Sequence, residues 1–122
     1  MSFTIVEEKD FVRITLFGVL TSEDMVELAA AADVIERDRD PVPNRLADMR
    51  DVTEVQIRFP DVQGFANVRR ARKFPNTFKS AVVVGNPVQS GMARMFRSLN
   101  DNPQIVVEVF EDEAAALAWF RT

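Results

Sequence analysis

Ser80-Ala81-Val82-Val83-Val84-Gly85-Asn86-Pro87-Val88 decides the fold of this chain. Its first half is apolar and β-branched without alternation, the pattern of a strand covered on both faces. Its second half stops that strand at Gly85 and opens a helix. Asn86 supplies a side-chain cap, and Pro87 suits a first helical position, where its missing N–H costs nothing. Where such strands alternate with helices of about 10–15 residues along the chain, parallel pairing by right-handed crossovers follows.

Downstream, Val88, Met92, Met95, Phe96 and Leu99 fall on one helical stripe. Residues 105–110 form the next strand, and Asp112 caps a final helix running through Trp119. The runs 81–84 and 105–110 are both expected to be interior strands. Upstream, residues 45–49 give a short strand leading to a strand-end loop with Asp48, Arg50, Asp51 and Thr53. Phe59-Pro60-Asp61 then opens a helix that buries Val62, Phe65, Ala66 and the stem of Arg69, ending near Phe74-Pro75-Asn76. At the N-terminus, Phe3 and Ile5 start one extended run. Val12, Ile14 and Leu16 alternate with Phe11, Arg13, Thr15 and Phe17 in a second, which Gly18 ends. Lys9-Asp10 between them predicts an antiparallel hairpin. Thr21 and Asp24 form a capping box ahead of a helix with Met25, Leu28, Ala29, Ala32 and Ile35 on one stripe, and the polar tail from Glu36 to Pro43 stops it. The expected order is β-β-α-β-α-β-α-β-α. It describes one α/β domain over residues 1–122, with a mixed, mostly parallel sheet, an N-terminal antiparallel hairpin and about four helices.

The 122 residues suit a single core, and 47% apolar with 28% charged residues is the balance of a soluble globular chain. No apolar run approaches the roughly 20 residues of a membrane span. The first residues lack the basic and apolar regions of a secretory signal. A cytoplasmic location is therefore expected. Histidine, cysteine and tyrosine are all absent. A Ser-His-Asp triad and a Cys-His pair are excluded, and a zinc site would need carboxylates alone. No enzyme activity, metal or cofactor is expected.

The charges are segregated. Residues 62–100 hold seven cations (Arg69, Arg70, Arg72, Lys73, Lys79, Arg94 and Arg97) and no acid, in a chain of net charge −4. Such a segment can collect anions even on an acidic body. Arg69, Arg72, Lys73, Lys79 and Arg94 are the candidate surface for an anion, a membrane or an acidic partner. Helix-end cations also favour the helix dipole by about 0.3–1 kcal/mol each, which is the plainer reading. No nucleic acid is expected, because the body is acidic and no glycine-rich or aromatic RNA motif is present. Phe74 and Phe78 bracket the basic stretch as candidates for an exposed entrance. Met92, Met95 and Phe96 are core residues or a lid over an apolar pocket. Asp48, Arg50 and Asp51 stand where a parallel strand should end, the default ligand crevice of an open α/β sheet, although Asp48 and Arg50 need not touch there. The amides after Gly85-Asn86-Pro87 are a weaker anion candidate.

The stretch from Ser80 to Phe96, the segment from Ile105 to Phe120, the helix entry Gly18-Val19-Leu20-Thr21-Ser22-Glu23-Asp24 and the strand Arg45-Leu46-Ala47-Asp48-Met49-Arg50 together resemble the bacterial SpoIIAA-like proteins of the STAS superfamily. The resemblance implies a small α/β domain with helices over its sheet. It also implies, in the anti-sigma-factor antagonists, a switch by phosphorylation of a serine at the start of the second helix. Here that stretch reads Arg58-Phe59-Pro60-Asp61-Val62-Gln63-Gly64, with Thr53 the nearest hydroxyl, so the switch does not carry over. The resemblance reaches toward the CRAL-TRIO lipid-carrier fold, which implies a pocket for an apolar ligand. The expected function is a non-enzymatic binding or regulatory module for a partner protein or a small apolar or anionic ligand. A membrane-peripheral or lipid-binding protein is the alternative. A second copy of the chain is among the partners the sequence allows.

Overall fold

A computed structural model describes residues 2–100 and 102–122. Its elements are β1 (Phe3–Glu7), β2 (Phe11–Thr21), α1 (Ser22–Arg37), β3 (Asn44–Gln56), α2 (Phe59–Arg70), β4 (Phe78–Val83), α3 (Pro87–Leu99), β5 (Ile105–Phe110) and α4 (Glu113–Phe120). The five strands form one sheet in chain order, β1-β2-β3-β4-β5. β1 and β2 are antiparallel, with Phe3 opposite Leu16 and Glu7 opposite Val12. The other pairings are parallel.

β4 is bonded on both sides, Ser80 opposite Arg45 on β3 and opposite Val107 on β5. Its side chains enter two cores in alternation. Val82 joins Val12, Ile14 and Leu16 beneath the helices α1 and α3, while Ala81 and Val83 join Leu46 and Ala116 beneath α4. α2 lies between α1 and α3 and packs on both. The unbroken apolar run of residues 81–84 thus follows from having a helical layer on each face.

The expected interior position of residues 105–110 is corrected. β5 is an edge strand, and Val106 is 39% exposed. β-branched content does not distinguish an edge from a centre. The alternation of buried Ile105 and Val107 with more open Val106 and Glu108 carried that signal. Gly18 does not end β2 either. It takes φ 69° at one of two register shifts against β3, and the strand runs on to Thr21. A side chain at that φ would be strained, so glycine allows the strand to kink and continue. β3 likewise continues to Gln56, opposite Thr21. The bulge brings Met49 and Val52, three positions apart, into the same core, which hides the strand from a search for a period of two. α2 ends at Arg70 rather than near Phe74. Asn102 Nδ2 donates to the carbonyls of Arg69 (3.0 Å) and Arg72 (2.8 Å) just there.

The capping box of α1 is formed. Thr21 Oγ1 accepts from the Asp24 amide at 3.3 Å, and Asp24 Oδ2 accepts from the Thr21 amide at 2.9 Å. Burial would raise the Asp24 carboxyl, but the hydrogen bonds from the Thr21 amide and hydroxyl outweigh it and hold the group below its ordinary value. Thr21→Val keeps the shape and removes the acceptor. It is expected to cost about 1 kcal/mol in urea unfolding. An unchanged midpoint would show that the cap contributes nothing.

Candidate functional site

Between the sheet and the helices α1, α2 and α3 lies a cavity of about 100 Å³. Ile14, Ala47 and Val82 give it a floor, and Leu28, Phe65, Met92 and Phe96 line it from the helices. Alanines at 32, 47 and 93 leave space that larger side chains would fill. The walls are apolar except at one end, where Arg45, Arg69 and Ser80 enter.

That end is built around Glu36, the last inward position of α1. Arg69 of α2 binds it in a fork, Nη1 to Oε2 at 2.9 Å and Nη2 to Oε1 at 2.6 Å. Arg45 of β3 brings Nη2 to the same Oε1 at 2.9 Å. The side chains of Glu36, Arg69 and Arg45 are only 5%, 4% and 13% exposed. Burial first, then the nearby Arg69 charge, lowers Arg45 to about 10 against the pull of Glu36, so it stays protonated at neutral pH. Its guanidinium lies over the Phe78 ring, 5.1 Å from the centroid.

The basic segment is dispersed by the fold. Arg69 is corrected from a surface cation to a buried one, 3% exposed, because α2 turns it inward onto Glu36. Arg72 is on the surface and binds Asp33 at 3.0 Å. Arg37 and then Arg72 hold the Asp33 carboxyl below its ordinary range. Lys79 lies across the sheet, on the α4 side. Its Nζ donates to the Trp119 and Thr122 carbonyls at 2.8 and 2.9 Å and sits over the Trp119 ring. Lys73 is exposed, and Arg94 of α3 donates from Nε to Ser90 Oγ at 3.0 Å. Arg69 and Lys79 therefore share no face.

Phe78 is corrected as well. It is 2% exposed and opens β4 within the core, with Phe74 edge-on at 5.0 Å, so the two do not make an exposed entrance. Met92 and Phe96 line the cavity; Met95 does not. Asp48, Arg50 and Asp51 lie inside β3, not in a strand-end loop. Asp48 and Arg50 do touch, through Nε (3.0 Å) and Nη2 (2.8 Å), because positions two apart on a strand share a face. The Arg50 hydrogen bond holds the Asp48 carboxyl below its usual range. The turn after β4 satisfies itself. Gln89 Oε1 accepts from the Gly85 amide at 2.7 Å, and Asn86 Oδ1 accepts from the Gln89 amide at 2.9 Å. Among the described residues no group of three or more acidic side chains is placed to hold a metal, and no helix is long and apolar enough to cross a membrane.

A mixed sheet in chain order, three helices on one face, one on the other and a cavity beneath the three define a STAS-type domain. The SpoIIAA-like family model matches residues 11–121, and the chain belongs to that family. Its fold is similar to that of an uncharacterized protein with a SpoIIAA-like fold from Shewanella loihica PV-4. The two share 18% identity at a TM-score of 0.62, over 97% of this chain and 91% of that one. No curated protein matches the sequence. Membership in the family places the chain among binding and regulatory modules in general.

Proposed function

We propose that the domain is a non-enzymatic binding module that takes a small apolar ligand into the cavity beneath α1, α2 and α3. The observation that carries this reading is the cavity itself, about 100 Å³ with walls that are apolar except at one end. Dry apolar cavities of this order accept small hydrocarbons, because the walls regain contacts that they lack. The residues around it offer no ordinary acid–base or nucleophilic pair, in a chain without histidine or cysteine. The alternative, a membrane-facing basic segment, has weaker support, since Arg69 points inward and Lys79 lies across the sheet.

The test uses 1-butanol as a neutral probe, followed by amide chemical shifts. Wild type is expected to bind it with shifts confined to the residues around the cavity. Ala93→Leu fills the space from α3 and is expected to abolish binding while keeping the fold. Absence of binding by the wild type, or equal binding by a folded Ala93→Leu variant, would overturn the reading.

A further inference from the structure

We infer that the cavity's ligand is a small carboxylate, with its headgroup on Arg45, Arg69 and Ser80 and its hydrocarbon part among Leu28, Phe65, Met92 and Phe96. This rests on the binding-module reading above and names the class of molecule that the same site takes.

The first argument is charge. At the polar end one carboxylate, Glu36, faces two guanidinium groups, Arg45 and Arg69. Asp33, the next acid back along α1, is engaged by Arg37 at 2.8 Å and by Arg72 at 3.0 Å. The buried group therefore carries one surplus positive charge. Buried charge is costly unless it is paired and hydrogen-bonded. Glu36 Oε1 already serves both arginines, and Arg45 makes no other ion pair among the described residues. A guanidinium has five donors in a planar fork, so Arg45 keeps unused N–H groups beside the cavity.

The second argument is Ser80. It is 7% exposed, lines the cavity and stands opposite Arg45 in the sheet register. Its hydroxyl can donate to a molecule that enters there. An anion between Arg45 and Ser80 would engage both: the carboxylate accepts from the guanidinium and from the hydroxyl.

The third argument is shape. Polar groups enter from one end alone, so the matching molecule has one charged end and an apolar remainder. A volume of about 100 Å³ holds roughly four to six heavy atoms. A monocarboxylate of about four carbons fits that space. A long-chain fatty acid would require the helices to part.

The experiment compares butanoate, 1-butanol and butylamine by titration of amide chemical shifts, at fixed salt and pH 7. Butanoate is expected to bind about tenfold tighter than 1-butanol, and butylamine weakest, as charge-assisted hydrogen bonds require. Arg45→Met should erase the advantage of butanoate and change 1-butanol binding much less. Ser80→Ala should weaken butanoate by about two- to tenfold and 1-butanol by less, and it tests the headgroup site without touching the ion pairs. Equal binding of butanoate and 1-butanol by the wild type would overturn the carboxylate assignment while the apolar cavity stands. Binding of none of the three probes would overturn the cavity reading itself. Retention of the butanoate preference in both variants would also overturn the assignment.

Discussion

Glu36→Ala is expected to lower the free energy of unfolding by about 3–5 kcal/mol. The substitution removes the one carboxylate that Arg45 and Arg69 share and leaves two like charges in the interior. Its cost comes from stranding those charges rather than from losing an attraction. A companion variant separates the two causes. Glu36→Met, Arg45→Met and Arg69→Met together exchange the whole group for apolar side chains, and stability is expected to match the wild type or exceed it by about 1–4 kcal/mol. Urea unfolding with a common slope measures both. A loss below about 1 kcal/mol for Glu36→Ala would mean that water reaches the pair, contrary to its burial.

Phe78→Ala is the second large effect, about 3–5 kcal/mol. Phe78 opens β4 opposite Ile105, is 2% exposed and holds Phe74 edge-on at 5.0 Å. The Arg45 guanidinium also rests on its ring, so truncation removes one face of the cavity's polar end as well as core volume. An entrance aromatic at the surface would lose well under 1 kcal/mol on the same change. Thermal and urea unfolding of this variant therefore decide between the core position and the exposed position that the neighbouring cations suggest.

These two residues show where the sequence was legible and where it was not. Strand and helix types followed from local patterns: the alternation in β2, the apolar run of β4 and the Thr21–Asp24 box each depend on neighbours within a few positions. The extent of β3 did not, because its continuation to Gln56 is sustained by pairing with a distant strand and masked by a bulge. The site was legible in fragments. The pattern alone marks Met92 and Phe96 for a pocket, whereas the charge of Arg69 argues for the surface even though it falls on the buried stripe of α2. Glu36 falls at the start of a polar tail in the sequence. Its spacing from Leu28 and Ala32, four residues apart on one face, was the signal that placed it inside. Ser80 carried no signal of its own, since a hydroxyl at the start of an apolar strand is common to many folds. Only the pairing of Arg45 with Ser80 across β3 and β4 reveals the polar end, and pairing between distant segments is a property of the assembled sheet.

Strands that stand in chain order have a consequence for the order of assembly. Each strand pairs with the one made just before it, so a chain growing from its N-terminus can extend the sheet one strand at a time, without holding an early strand for a late partner. The part of the floor that β2 and β3 supply can form first, with α1 laid over it. Glu36 and Arg45 then stand ready, but Arg69 arrives with α2, Ser80 with β4 and the wall of Met92 and Phe96 with α3. During synthesis the enclosure is a late product. Until α2 and β4 dock, Glu36 and Arg45 lack Arg69 and the Phe78 ring, and their charges stay open to water.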